Sequence, residues 1–291
     1  MKLTTNILSF LMILTACTNT VHDTVDSNNA AQEVEDIINI DSIQLPTPNI
    51  QETNIDYTTI YTDLNEALKV PNKVYRLHLQ PHENANSVDT FPMGIFKLNN
   101  LKELKLKGCR YTYLPKEIGQ LKHLEYLDLS YNYLVELPHE IGKLENLKTL
   151  MLNDNFLLKT FPKEFGNLKN LKHLNLSLCL MNHFPSEICN LTNLEFLDMM
   201  KTRIDSIPSC IGRLKNLKIL LINNTGISEL PPEFGQLESL EGLWLINTGV
   251  YEFPDEFANL KNLKYLWIYP NKQLKQRLKI ILPHTTLNRK R

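Results

Sequence analysis

The chain has 291 residues, with 31 Lys+Arg against 32 Asp+Glu, 43% hydrophobic residues and 22% charged residues. These values exclude wholesale disorder and a polytopic membrane protein. The near-zero net charge hides a segregated layout: residues 18–60 carry eight acids and no Lys or Arg, whereas residues 61–291 carry 30 bases and 24 acids, a surplus of six.

Residues 1–16 read as an export signal. One Lys (Lys2) precedes an apolar stretch around Ile7–Leu14 that is too short to span a bilayer. It ends in Leu14-Thr15-Ala16-Cys17. That run resembles the lipobox of bacterial lipoproteins. The resemblance implies diacylglycerol on the Cys17 thiol, cleavage before Cys17 and a membrane anchor built from more than one acyl chain. Thr18 stands where an Asp would imply inner-membrane retention, so the same resemblance implies an outer-membrane or cell-surface location. Residues 17–56 are acidic and rich in Asn, Thr and Ser. They read as a flexible tether with little to bury. Ile37–Ile43 is the one stretch in it with strand character.

A repeat array follows, expected over about residues 74–271 of a domain spanning 57–291. Prolines at 92, 115, 138, 162, 185, 208, 231 and 254 are spaced 23, 23, 24, 23, 23, 23 and 23 residues apart. Nine residues after each comes Leu-x-x-Leu-x-Leu or a close variant, as in Leu124-x-x-Leu127-x-Leu129-x-x-Asn132. Alternation by two predicts a short strand with one buried face in each repeat. This pattern resembles the leucine-rich repeat family, in the 23-residue variety of plant intracellular Ras-group and Ras-suppressor-like proteins. The resemblance implies an α/β solenoid: a leucine-rich repeat horseshoe with a parallel concave sheet, short helical turns on the convex side and cap helices at both ends. Thr62–Lys69 is expected to form the first cap helix, with Asp63 and Glu66 at capping-box spacing, and Lys272–Leu282 the second. An Asn ladder is expected at His82, Cys109, Asn132, Asn155, Cys179, Thr202, Thr225, Thr248 and Asn271, with weaker rungs where Thr and Cys replace Asn. The extra residue of the 24-residue repeat is expected between Leu157 and Phe161.

No glycine-rich nucleotide loop or nucleophile elbow is present in the sequence, and His78 and His82, four apart, do not read as a metal pair because His82 falls in the ladder slot. The reading is therefore non-enzymatic, with no cofactor, metal or nucleic acid. Cys189 and Cys210 fall on adjacent turns with a two-residue offset. They are either a disulfide at the margin of acceptable geometry or two free thiols. The recurring Glu117, Glu140, Glu164, Glu187, Glu233 and Glu256 read as solvated convex residues.

Outward strand positions form three columns, charged at the N-terminal end and aromatic at the C-terminal end. Binding of a protein partner is expected at Phe196, Met200, Ile219 and Leu221, and at Trp244, Ile246, Tyr265, Trp267 and Tyr269. Gly242 reads as a notch that receives a partner side chain. The alternative ligand is a glycan stacked on the aromatic residues.

Overall fold

The computed structural model describes residues 58–81, 90–269 and 272–287. Cys17, the acidic segment, His82, Asn271 and the basic end Arg289–Arg291 lie outside the described residues.

Ten parallel strands form one open sheet in sequence order. They are β1 (Arg76–His78), β2 (Glu103–Lys105), β3 (Tyr126–Asp128), β4 (Thr149–Met151), β5 (His173–Asn175), β6 (Phe196–Asp198), β7 (Ile219–Leu221), β8 (Gly242–Trp244), β9 (Tyr265–Trp267) and β10 (Thr286–Leu287). The middle residue of each of β1 to β9 is a Leu, and all nine are fully buried. The flanking two residues of each strand form the first two expected columns, in register from Arg76↔Glu103 to Gly242↔Tyr265 and from His78↔Lys105 to Trp244↔Trp267. The buried Leu at the centre of each strand fixes this register across spacings of 23 residues and across the longer β1–β2 and β4–β5 repeats. Any slip would put a polar residue into the core and a Leu into water.

Proline then steers each repeat into a 3-10 turn on the convex side, such as Lys116–Gln120 and His139–Lys143. The fourth residue of each turn faces the second residue of the next. At Gly119 an added Cβ would stand 2.9 Å from the Glu140 Cβ, and at Gly142 it would collide with the Glu164 backbone. Glycine is needed there because no side chain fits. Cys189 and Cys210 occupy these two facing slots, and they are disulfide-bonded across a Cα–Cα distance of 5.7 Å. The two-residue offset that looks marginal in sequence is the normal crossing of adjacent convex turns.

The ladder follows its expected gradient. Asn132 Nδ2 donates to Leu129 O (2.8 Å) in its own repeat and to Leu106 O (2.9 Å) in the preceding one, and its Oδ1 accepts from Tyr111 N (3.0 Å). Asn155 does the same with Leu152 O, Leu129 O and Leu134 N. The Thr202, Thr225 and Thr248 hydroxyls donate within their own repeat, to Met199 O, Ile222 O and Leu245 O. The residue before the ladder slot takes a left-handed conformation in repeat after repeat, including Tyr131 (φ 59), Leu178 (φ 60) and Lys201 (φ 56). Side chains resist this conformation. It is sustained because the turn into the ladder is imposed by packing on both sides.

Two expectations need correction, and one element is new. The extra residue lies at Phe156–Leu157, inside a turn closed by Leu158 N donating to Asn155 O (2.9 Å), and not between Leu157 and Phe161. The ladder Asn155 and the buried Leu158 bracket the insertion, so β4 and β5 still pair in register. At the start, helix α1 (Leu64–Lys69) has Asp63 as N-cap, its Oδ1 accepting from Asn65 N (2.7 Å). Glu66 does not close a capping box; it pairs with Lys69 at 2.6 Å. At the other end, helix α2 (Lys272–Ile281) is followed by β10, which pairs with β9. Two residues, Thr286 and Leu287, carry too little periodicity to announce a strand.

Candidate functional site

The concave face has a different chemistry at each end. At the N-terminal end, Arg76 Nε, His78 Nε2 and Lys105 Nζ converge on the Glu103 carboxylate at 2.6, 2.7 and 3.0 Å. Burial pushes this carboxyl up, but hydrogen bonds from Arg76 and Lys105 more than offset it and hold it at about 2. Burial lowers the His78 pKa against the pull of Glu103, so at neutral pH that contact is a hydrogen bond from a neutral imidazole rather than an ion pair. Lys105 also lies 5.1 Å from the centre of the Tyr126 ring. These charges largely satisfy one another.

In the middle, side chains fold back on their own strands. Asp128, Asn175 and Asp198 each accept, through Oδ1, the backbone N–H two residues on: Ser130, Ser177 and Met200, all at 2.9 Å. Asp198 is buried. Burial pushes its carboxyl up to about 7, against the hydrogen bonds from Met200 N and Ser177.

At the C-terminal end, Trp244 and Trp267 lie nearly parallel on adjacent strands, with ring centroids 6.3 Å apart and planes 7° apart. The notch expected at Gly242 is filled: an added Cβ there would collide with the Trp244 ring. Glycine is present because the indole lies across its own strand, and no space is left for a partner. Trp244 (6% exposed), Leu221 (2%), Ile246 (5%) and Phe196 (8%) consequently form the floor of the face. Met200, Ile219 and Trp267 are half-buried. Tyr265 (50%) and Tyr269 (47%) stand in solvent. The structure thus gathers the expected residues on one face but divides them into a buried support and an accessible edge. Asn223, absent from the expected set, ties that floor to the preceding repeat, its Oδ1 accepting from Ile246 N at 2.8 Å. Its place in the third outward column was the available signal.

Among the described residues, no group of three or more His, Cys, Asp or Glu is placed to hold a metal ion. No described helix is long and apolar enough to cross a membrane.

A repeat-stacked parallel sheet with buried leucines and an Asn ladder defines a solenoid of the leucine-rich repeat class. The family model for the leucine-rich repeat region matches residues 76–179 and 159–282, and the chain belongs to that family. No curated protein sequence matches the chain. Several solved structures resemble it. The plant peptide hormone receptor RGFR1, in complex with RGF2, is 25% identical with a TM-score of 0.60, the match covering 79% of this chain and 41% of the receptor. Internalin C2 of Listeria monocytogenes is 27% identical with a TM-score of 0.56, over 63% of this chain and 78% of the internalin. The Arabidopsis thaliana receptor ectodomain GASSHO1/SCHENGEN3, in complex with CASPARIAN STRIP INTEGRITY FACTOR 2, is 26% identical with a TM-score of 0.58, over 73% of this chain and 26% of the ectodomain. The chain thus spans less than half the length of either plant receptor. Leucine-rich repeat proteins are in general protein-interaction modules.

Proposed function

We propose that this is a non-enzymatic repeat of the 23-residue Ras-group type, carried on a lipid anchor at Cys17 in the cell envelope, that binds a protein partner at the C-terminal end of its concave face. The observation that carries the site is Tyr265 and Tyr269 held in solvent beside the stacked Trp244 and Trp267. Rigid aromatic side chains backed by buried ones are the usual anchors of protein interfaces. The plant receptors' complexes with RGF2 and CASPARIAN STRIP INTEGRITY FACTOR 2 support a proteinaceous ligand. The Cys189–Cys210 disulfide supports export, because disulfides persist in oxidising compartments. The charged N-terminal end is largely self-satisfied and offers a partner little.

A glycan is the second reading, since exposed Tyr265 and Tyr269 beside half-buried Trp267 also suit a sugar ring. The floor of Leu221 and Ile246 favours protein. The test is capture from membranes of the source cell with wild type, Tyr265→Ala/Tyr269→Ala and Lys105→Ala. Loss of one discrete protein with the double variant only is the expected result. Release of the captured material by soluble oligosaccharide would mark a glycan, and loss with Lys105→Ala alone would move the site to the other end. For the anchor, a metabolic acyl probe should label wild type and not Cys17→Ser; equal labelling of the two refutes lipidation there.

A further inference from the structure

A second apolar area lies away from the concave sheet, on the flank where each repeat leaves its strand and turns toward the convex side. Tyr113, Tyr131, Val135, Phe156 and Leu157 are exposed there, with Tyr133 half-buried among them. Three repeats are held side by side. Tyr133 N donates to Tyr111 O (2.9 Å), Val135 N to Thr112 O (3.2 Å) and Tyr131 N to Asn153 O (2.9 Å). The Tyr133 and Phe156 rings meet edge to face at 5.2 Å. Lys107 Nζ lies 4.7 Å from the centre of the Tyr131 ring, and burial, then the nearby Asp154 charge, pushes the Tyr131 hydroxyl pKa up.

The fold does not demand these residues. Asn224 and Asn247 occupy the left-handed slot that Tyr131 holds. Arg203, Gly226 and Gly249 occupy the slot of Tyr133. Phe156 belongs to the one-residue insertion between β4 and β5, and insertions in solenoids tend to fall on a binding face. An exposed aromatic cluster that stability does not require points to an interaction.

Charge selects the occupant. The bases Lys107 and Arg110 stand at the β2 end of this cluster and the half-buried Asp154 at the β4 end, with Lys201 on its far side and Glu136 and Lys159 adding one charge of each sign. So mixed a surface offers little to anionic lipid or nucleic acid, which reward an unbroken basic patch. It is, however, complementary to itself. We propose that this flank is the contact between two copies of the chain, related by a two-fold axis through the Tyr131–Tyr133 repeat. Such an isologous contact sets Lys107 and Arg110 of each copy against Asp154 of the other, around a shared aromatic centre. It uses none of the concave residues and stands independently of the partner site.

The test is sedimentation equilibrium of the chain from residue 17 onward, carrying Cys17→Ser so that no acyl chain contributes. A reversible dimer is expected within a range up to about 200 μM, as suits a contact of modest area. Tyr133→Arg, which copies the residue at 203, should raise the dissociation constant at least about tenfold, the scale of a lost anchor. Lys107→Glu/Arg110→Glu should weaken the dimer, and so should Asp154→Lys, which copies the residue at 201. The two ends reversed together should restore it. Melting temperature reports folding of each variant. A monomer throughout that range overturns the proposal, including one that sediments with phosphatidylglycerol vesicles instead. A dimer indifferent to Tyr133→Arg overturns it too, as does a combined reversal no tighter than its halves.

Discussion

Reducing the Cys189–Cys210 bond should weaken the array by a calculable amount. The two residues are 21 apart in sequence. Freeing a loop of that size returns about 11 cal/mol/K of entropy to the unfolded chain, or about 3 kcal/mol at 25 °C. For a domain of this size that corresponds to a fall of roughly 6–12 °C in melting temperature. Among the described residues, Cys109 and Cys179 are buried and carry no disulfide, so reductant leaves them unchanged. A second variant, Cys189→Gly/Cys210→Glu, recreates the pairing that Gly142 and Glu164 make one repeat pair earlier in the array. It should melt near the reduced wild type and ignore reductant. Thermal melts with and without reductant, paired with thiol titration, measure both. A wild type whose melting temperature does not move once titration shows Cys189 and Cys210 free would refute the reasoning.

Three further outcomes follow from the same geometry. Asn155→Thr copies the weaker rung at 202 and gives up the bonds to Leu129 O and Leu134 N; it should cost about 1–3 kcal/mol in urea denaturation, as for buried groups left unpaired. Because Glu103 is held at about 2 in the folded chain against an ordinary 4.5, its contribution is present above pH 4.5 and lost as pH falls toward 2. Comparing wild type with Glu103→Gln should show a stability advantage that shrinks over that window, up to about 3 kcal/mol at neutral pH. Asp198 has the opposite sign: with its folded pKa raised to about 7, stability falls as pH rises from about 4 to 7. Asp198→Asn, which copies Asn175 on the adjacent strand, should therefore melt higher than wild type at pH 8 and similarly at pH 3.

The parts of this molecule that repeat were legible in its sequence. Leu127 and Leu129 alternate with Tyr126 and Asp128, and the recurrence of that motif, mostly every 23 residues, stacks the strands in one register, so the outward columns follow without further information. What failed to appear depends on one side chain meeting another. Nothing in the spacing says that Trp244 folds over Gly242 rather than away from it. The left-handed slot was hidden because Tyr131, Leu178 and Lys201 are not residues that mark it, whereas Gly108 and Asn224 are. The convex crossing of fourth residue on second was present in the alternation of Gly and Glu, but its meaning required the distance between turns. In the sequence the extra residue falls between Leu157 and Phe161, because only Leu158, once seen buried, shows where the repeat resumes.

The most direct test of the concave site places a photoreactive amino acid at Tyr269, at Tyr265 or at Lys105 and irradiates cells expressing each variant. Tyr269 and Tyr265 stand in solvent at the aromatic end, while Lys105 is engaged with Glu103 and Tyr126. One protein adduct of the same mass from positions 265 and 269, and none from 105, is the predicted result. Adducts from position 105 alone would contradict the account.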